Sequence, residues 1–572
     1  MKSPVFGPRR SARAGRDAAS PLATALAPAL ADGRWRVPGR FNFTRDVVEA
    51  LAQDAQRQAL TCVGSDGIIE PRSFLQLAQG AARWASLLRE HGVLPGDRVV
   101  VVAQSSPDWV EVLLAGIKVG AVTVPCAETL PADALDIRIA AAGAKLVVAS
   151  RAAEGELART AAQPLVLYLD EARRRAHRLP KEAPTHDTYV RDPAFVVSTS
   201  GRTDGPRGVL HTHASTFAAR VHTEHWLDAG QGDVVWCTAG SDSAQTLWST
   251  VLGPWSRGAE VVLHAGPLDP VERLELVYRL GVTVLCQRPA EYQALAETGH
   301  LARFRSARPR RLVSTGDHLG EDLIGTFEEQ WGLTIHDGYG QAETGVVVGH
   351  AVDTGYVAGS IGRPLPGYAL AVIDERGNEL PRGHEGELAL RGHPPSLFDG
   401  YWNAPAETKA SFHGDWYLTG DVAICDADGF LWLLDRRRQA APRADVRPAP
   451  AELRVEEPKP APALPVAAAV AVERPEPQVV PVARKPAQAA REESEPEHRE
   501  TEVIKRAAPH WARVTATLWL LLLGVLVGGA AIPHADDQPR VVPRSDDIPN
   551  AICLPPKSPK SPKSPKRREP RR

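Results

Sequence analysis

The sequence predicts an α/β fold, a large domain of layered sheets and helices, and three observations carry that expectation. Between about Phe41 and about Arg438 short apolar runs alternate with amphipathic stretches, as when strands and helices take turns. Trp109–Val119 has helical periodicity and Gly120–Pro125 reads as the strand after it, a crossover unit of the kind that builds parallel sheet. Hydrophobic residues make up 43% and charged residues 24% of 572 positions, close to an ordinary globular average. Wholesale disorder, collagen and a polytopic membrane protein are poor fits to those figures, and the length allows three or four domains.

In chain order, residues 1–35 come first, rich in Arg, Ala, Ser and Pro, and they read as a disordered leader. An A-x-A-like ending and an Arg-rich, acid-poor start also fit a secretory or an organellar address, though Asp17 and the scattered prolines weaken both. Residues 36–440 form the globular body. Val99–Ala103, Lys145–Val148 and Thr283–Leu285 are strand candidates, and Phe195 opens another that runs through a loop into an apparent helix.

After Gln439 the texture changes. Residues 441–510 hold 13 prolines and no Phe, Trp or Tyr, so they cannot bury enough apolar surface to offset their ordering entropy. Residues 441–513 are expected to be an extended Pro/Ala-rich linker. Val514–Ile532 contains no charged residue; at 1.5 Å per residue it spans about 28 Å, close to the hydrocarbon thickness of a bilayer. It reads as a single transmembrane helix that anchors the chain in a lipid bilayer. Arg499, Lys505, Arg506 and Arg513 precede it, against Arg540 and Arg544 after it, a bias that puts the large domain on the cytoplasmic side. Residues 533–572 are a disordered basic tail with Ser-Pro-Lys repeated from Ser558 to Lys566, suited to anionic lipid heads, other polyanions or phosphorylation, or simply to solvent.

The formal charge of −2 is unevenly placed, because residues 557–572 carry eight Lys/Arg against Glu569 and leave the rest of the chain mildly acidic. An acidic body argues against nucleic acid as a partner. Cys62, Cys126, Cys237, Cys286, Cys425 and Cys553 lie far apart, with no C-x-x-C and no His at metal-ligand spacing. Buried free thiols are expected, rather than a zinc site or a disulfide framework.

The stretch Phe195–His213, FVVSTSGRTDGPRGVLHTH, carries most of the chemistry. Glycines let backbone approach phosphate oxygens, and Thr and Ser hydroxyls with backbone N–H groups donate to them. The loop is not a Walker P-loop, for it lacks G-x-x-x-x-G-K-[ST]. It resembles the phosphate-binding motif of the AMP-forming acyl-CoA synthetases and adenylating enzymes, commonly T-S-G-T-T-G-x-P-K-G. Four further stretches agree in the right order: HDGYGQAET at His336–Thr344, GSIGRPLPG at Gly359–Gly367, WYLTGD at Trp416–Asp421, and DADGF followed by Asp435–Arg436. VVWCTA, DGYGQ and PLPGYALAVID are most similar to medium-chain fatty acid and benzoate-type CoA ligases.

The resemblance implies an adenylate-forming large domain over residues 36–440. It also implies a two-step reaction in which a carboxylic acid attacks the α-phosphorus of MgATP to give an acyl-adenylate, and CoA thiol then displaces AMP. Carried over by position, Thr199, Ser200, Gly201, Thr203, Gly205 and Gly208 would cradle the β- and γ-phosphates, with Arg207 in the usual lysine place. Gly316 and Asp317 match the adenine turn; Asp337, Tyr339 and Gly340 would line the nucleotide, the Tyr339 ring flanking adenine. Glu343 would hold Mg²⁺, Asp421 would accept hydrogen bonds from the ribose hydroxyls, and Arg436 would support ribose or phosphate. Glu343, Arg207 and Thr203 are the candidate catalytic residues.

Departures from the pattern fall on catalytic positions. Arg202 replaces a hydroxyl residue, Asp204 a glycine and Arg207 a lysine. A carboxylate near 4 Å from a phosphate charge would cost about 4 kcal/mol at an effective dielectric near 20, unless Arg202 pairs with Asp204. Ala342 stands where the family has threonine, so one hydroxyl donor is missing, and Arg438 takes the place of the hinge aspartate. The family's small C-terminal lid domain has no counterpart, for the linker begins where it would start. The expected protein is therefore a membrane-anchored acyl-CoA synthetase-like enzyme in need of a partner chain that supplies a lid or carrier. The alternative is an inactive nucleotide-binding or acyl-binding scaffold.

Overall fold

The computed structural model describes residues 26–435, apart from 200–206, 268 and 353. The regular α/β alternation of the sequence resolves into three main sheets. In the first, the neighbour order is Gly400–Tyr401, Gly208–Thr212, Pro193–Ser198, Val122–Cys126, Arg98–Val102, Leu146–Ala149 and Val166–Tyr168. Its five last-named strands run parallel, as crossover connections require. The expected crossover unit is present: helix Pro107–Val119 is capped by Ser106 Oγ, which accepts from Trp109 N at 3.1 Å, and it stops at Gly120 with φ 78°. Strand Val122–Cys126 follows and pairs with Arg98–Val102.

The second sheet runs Arg363–Pro364, Gly345–Gly349, Ile335–Gln341, Arg311–Thr315, Val284–Gln287, Val234–Cys237, Glu260–His264, Gln58–Val63 and Ile69–Ser73. It is parallel in the middle and antiparallel at both edges. The third, antiparallel, sheet centres on Glu385–Arg391 and Trp416–Cys425. Valines of the first sheet (Val99, Val101), Leu60 and Val261 of the second, and the helix residues Trp84, Leu88, Trp109 and Leu113 share one core cluster. Helix Phe74–Glu90 enters that core through a capping box: Ser73 Oγ accepts from Gln76 N at 3.2 Å while Gln76 Oε1 accepts from Ser73 N at 2.8 Å.

Two expectations are corrected. The loop after Phe195 does not lead straight into a helix. Gly208–Thr212 pairs antiparallel with Pro193–Ser198 first, and the helix starts only at His213. Alternation decides this, since Val209 is buried against Val197 while Leu210 turns to the other face, a two-residue period in GVLHT. The disordered leader expected over residues 1–35 does not extend over residues 26–35, which the domain includes, and residues 1–25 lie outside the described residues. Trp35 Nε1 donates to Gly367 O at 2.9 Å, Arg220 donates to Ala27 O at 3.0 Å, and Ala29 is buried in the main core.

Cys62, Cys126, Cys237 and Cys286 are buried free thiols and Cys425 is half-buried. Cys237 and Cys286 face each other across adjacent parallel strands. Among the described residues no helix is long and apolar enough to cross a membrane. The expected span Val514–Ile532, the linker 441–513, the tail 533–572 and Cys553 lie outside the described residues.

Candidate active site

The phosphate-loop motif connects the antiparallel strands Pro193–Ser198 and Gly208–Thr212. Thr199 N donates to Arg207 O at 2.9 Å and Arg207 N to Thr199 Oγ1 at 3.2 Å, so these two residues close the neck of the loop. Ser200, Gly201, Thr203 and Gly205, together with the departures Arg202 and Asp204, lie outside the described residues. Gly208 has a packing reason of its own: a Cβ there would lie 2.9 Å from Val196 Cγ1 and 3.2 Å from Trp402 Cβ.

The adenine and magnesium motif is a second hairpin, Ile335–Gln341 with Gly345–Gly349, whose turn carries Glu343. Gly340 is obligatory, since a Cβ there would meet the Gly345 carbonyl oxygen at 2.0 Å. Glu343 is 8% exposed. Burial pushes its acid group up, while the Tyr401 hydroxyl, its own backbone and the Arg207 charge pull it down. Tyr401 OH donates to Glu343 Oε1 at 2.8 Å, and the Arg207 guanidinium carbon lies 5.5 Å from the centre of the Tyr401 ring. Arg207 and Glu343, both expected at the site, are thus brought together through a tyrosine.

His211, on the loop hairpin, ties the two motifs at another point. Burial drives its imidazole down to about 4, so it is neutral at pH 7. Its Nε2 lies 2.7 Å from the Ala342 carbonyl oxygen; because a carbonyl only accepts, Nε2 is the nitrogen that carries the proton. Behind this turn Trp248 packs against His211, ring centroids 4.9 Å apart, and lies over Gly345.

Asp421 comes from the third sheet. Its Oδ2 accepts from Tyr339 OH at 2.5 Å and from Gln341 Nε2 at 3.2 Å, and Tyr417 OH in turn holds Gln341 Oε1 at 2.8 Å. The Tyr339 ring, expected to flank adenine, is 2% exposed and packs among Val347, Val348, Ile361 and Leu388. In this structure its visible contribution is to hold Asp421. Gly316 and Asp317 are exposed just past strand Arg311–Thr315, Gly316 at φ 109°. The register that pairs Thr315 with Gly338 sets them beside the adenine motif. Asp337 is half-buried, its carbonyl accepting from Trp226 Nε1 at 3.2 Å and its Oδ1 from Gly338 N at 2.9 Å. Arg436 and Arg438 lie outside the described residues.

Sequence reasoning missed Tyr401, Gln341, Tyr417 and His211. Gln341, Tyr417 and His211 sit within recognised stretches and Tyr401 lies outside them, but nothing in their spacing shows where their side-chain groups reach. Among the described residues no group of three or more His, Cys, Asp or Glu side chains is placed to hold a metal. Mg²⁺ is usually held by one or two carboxylates together with substrate phosphates. Glu343 is such a carboxylate, with one oxygen already fixed by a neutral donor.

The Thr199–Arg207 neck, the buried Glu343 carboxylate near it and Asp421 held on the third sheet are the described parts of the expected nucleotide site. The family model described as AMP-binding enzyme matches residues 48–402. The chain belongs to that family. An uncharacterized acyl–CoA ligase of Bacillus subtilis, YtcI, is 31% identical over 408 residues, covering 70% of this chain and 77% of that protein. The mitochondrial acyl-coenzyme A synthetase ACSM5 of Mus musculus is 31% identical over 457 residues, 76% of this chain and 79% of that protein. The crystal structure of an acyl-CoA synthetase from Brucella canis superposes with a TM-score of 0.65 at 26% identity, over 73% of this chain and 78% of its own. The AMP-binding domain described here is thus acyl-CoA synthetase-like, with the adenylate-forming α/β fold of its relatives.

Proposed function

We propose that the protein activates a carboxylic acid with MgATP to an acyl-adenylate, and passes the acyl group to CoA once a lid domain is supplied by another chain. The observation that carries this reading is the convergence of Arg207 and Glu343 on Tyr401 at the neck of the phosphate loop. In the first step a carboxylate oxygen of the acid forms a bond to the α-phosphorus of ATP, the bond to the bridging oxygen breaks, and pyrophosphate leaves. In the second, the CoA sulfur bonds to the acyl carbon, the thiol proton is lost and AMP leaves. Bound Mg²⁺ supplies positive charge that offsets the phosphate oxygens. The chain's own residues do the positioning: the Thr199–Arg207 bonds hold the two ends of the loop together, Glu343 offers an oxygen donor, and Asp421 offers a fixed carboxylate for ribose.

Relatives named as acyl-CoA synthetases and ligases support an acyl acid as substrate. Ala342, lacking the family's hydroxyl, is the described departure on which a binding-only scaffold would rest, and the relatives named as synthetases and ligases support turnover instead. The uncharged stretch Val514–Ile532 supports tethering of the domain to the cytoplasmic face of a membrane. Retention of the full chain in carbonate-washed membranes, lost when residues 514–532 are deleted, checks the tether. The activity is tested by pyrophosphate release from ATP by the full chain across a panel of fatty and aromatic acids. Release that depends on one class of acid is expected, with thioester appearing only when a lid domain is added. Release that ignores the acid contradicts the reading.

A further inference from the structure

We propose that Tyr401 is a positioning residue of the nucleotide site, one that sets the orientation of the Glu343 carboxylate for a Mg²⁺-bound triphosphate and couples it to the phosphate-loop hairpin. The inference rests on the adenylating reading above and deepens it. Tyr401 belongs to a short strap, residues 398–402, that is fastened to both motifs. Toward the magnesium motif, Phe398 N donates to Glu343 O at 2.8 Å. Toward the loop hairpin, Asp399 N donates to Leu210 O at 2.8 Å, Trp402 N donates to Gly208 O at 2.7 Å, and Tyr401 lies opposite Val209 in the strand pair. The Tyr401 amide itself donates to Thr408 Oγ1 at 2.8 Å, which fixes the base of the side chain.

From that fixed base the phenol reaches Glu343 Oε1 at 2.8 Å, and the ring lies under the Arg207 guanidinium. A hydroxyl donating to an ionised carboxylate makes a charge-assisted bond, stronger than a neutral one. An ionised carboxylate has about four acceptor sites, so the phenol uses one and leaves capacity for a cation. What the phenol removes is the freedom of the carboxylate to rotate. Groups that orient a metal's carboxylate ligand in this way commonly account for 10–100-fold in metal affinity. Because the same strap is hydrogen-bonded to Gly208 and Leu210, the setting of the loop hairpin and that of Glu343 change together.

The test uses the full chain and Tyr401→Phe, which keeps the ring and its contact with Arg207 but removes the hydroxyl. ATP binding is measured by calorimetry in excess Mg²⁺ and again in EDTA. The proposal expects unchanged affinity in EDTA, a loss of about 10-fold in Mg²⁺, and recovery as Mg²⁺ is raised. Tyr401→Ala, which also removes the Arg207 contact, should lose affinity in both conditions. Because the Mg²⁺-to-EDTA ratio cancels any fraction of unfolded chain, a modest loss of stability does not obscure the outcome. Equal binding by Tyr401→Phe and the unsubstituted chain in Mg²⁺, or an equal loss in both conditions, overturns the proposal. Absence of Mg²⁺-dependent ATP binding in the unsubstituted chain overturns the nucleotide reading itself, and this one with it.

Discussion

Glu343 is buried yet must carry charge to serve a cation. The Tyr401 hydroxyl, the residue's own backbone and the Arg207 charge each oppose the upward push of burial, which is the largest effect and leaves the acid group above its ordinary value until a cation supplies the remaining charge. Next to it, Ala342 contributes only a backbone carbonyl, held by His211, where the family pattern has a hydroxyl. Returning that donor in Ala342→Thr should raise the adenylation rate by about 10²-fold, the usual worth of one transition-state donor, and single-turnover rates of both forms check it. The acidic residues were legible in the sequence, because the motifs HDGYGQAET and WYLTGD mark them. Their partners were not. Tyr401 reaches Glu343 across 58 residues, Tyr417 reaches Gln341 across 76 and His211 reaches Ala342 across 131, separations at which a linear pattern carries no side-chain direction.

At the scale of elements, helices Phe74–Glu90 and Pro107–Val119 pack so closely at Gly80 that a Cβ there would lie 2.1 Å from the Glu111 carboxyl carbon. Burial, and next the nearby Asp108 charge, push Glu111 up to about 8. Its folded value lies above its unfolded one, so the carboxyl is neutral in the fold and stability falls as pH rises from about 4.5 toward 8. Glu111→Gln keeps the shape without the acid. It should raise the melting temperature only slightly at pH 5 and much more at pH 8, where the gain in stability is at most about 3–5 kcal/mol; an equal shift at both pH values contradicts this. The helix Pro107–Val119 was legible because Ser106, Pro107 and Gly120 punctuate it. The hairpin strand Gly208–Thr212 was not, because five residues with one buried valine give too short a pattern to separate from the helix that follows.

For the whole molecule, neutral buried histidines dominate the response to acid. Burial drives His211, His213 and His222 down to about 4 from an ordinary 6.5. Each depressed value leaves stability intact above about 6.5 and removes it as pH falls toward 4, up to about 3 kcal/mol per histidine. Glu111, with Asp108 and Glu343 raised in the same direction, acts in the opposite sense over part of that range, while burial lowers His264, His336 and His350 alongside the first three histidines. The melting temperature of the full chain should therefore be lower at pH 5 than at pH 7 by a few degrees, and an equal or higher value at pH 5 contradicts this balance. The α/β class was readable from alternation, whereas inclusion of residues 26–35 was not, since it depends on contacts such as Trp35 with Gly367 and Arg220 with Ala27, made far away in sequence.

The central claim is that this domain joins AMP to a carboxylic acid. Its most direct test is a single turnover of labelled ATP by the full chain, with the acid selected by pyrophosphate release, quenched and examined for acyl-adenylate. Glu343→Gln is run alongside. The account predicts adenylate in equal amount to pyrophosphate from the unsubstituted chain, and a rate at least about 10-fold lower when the Glu343 charge is removed. Pyrophosphate without adenylate, or adenylate formed as fast by Glu343→Gln, would contradict it.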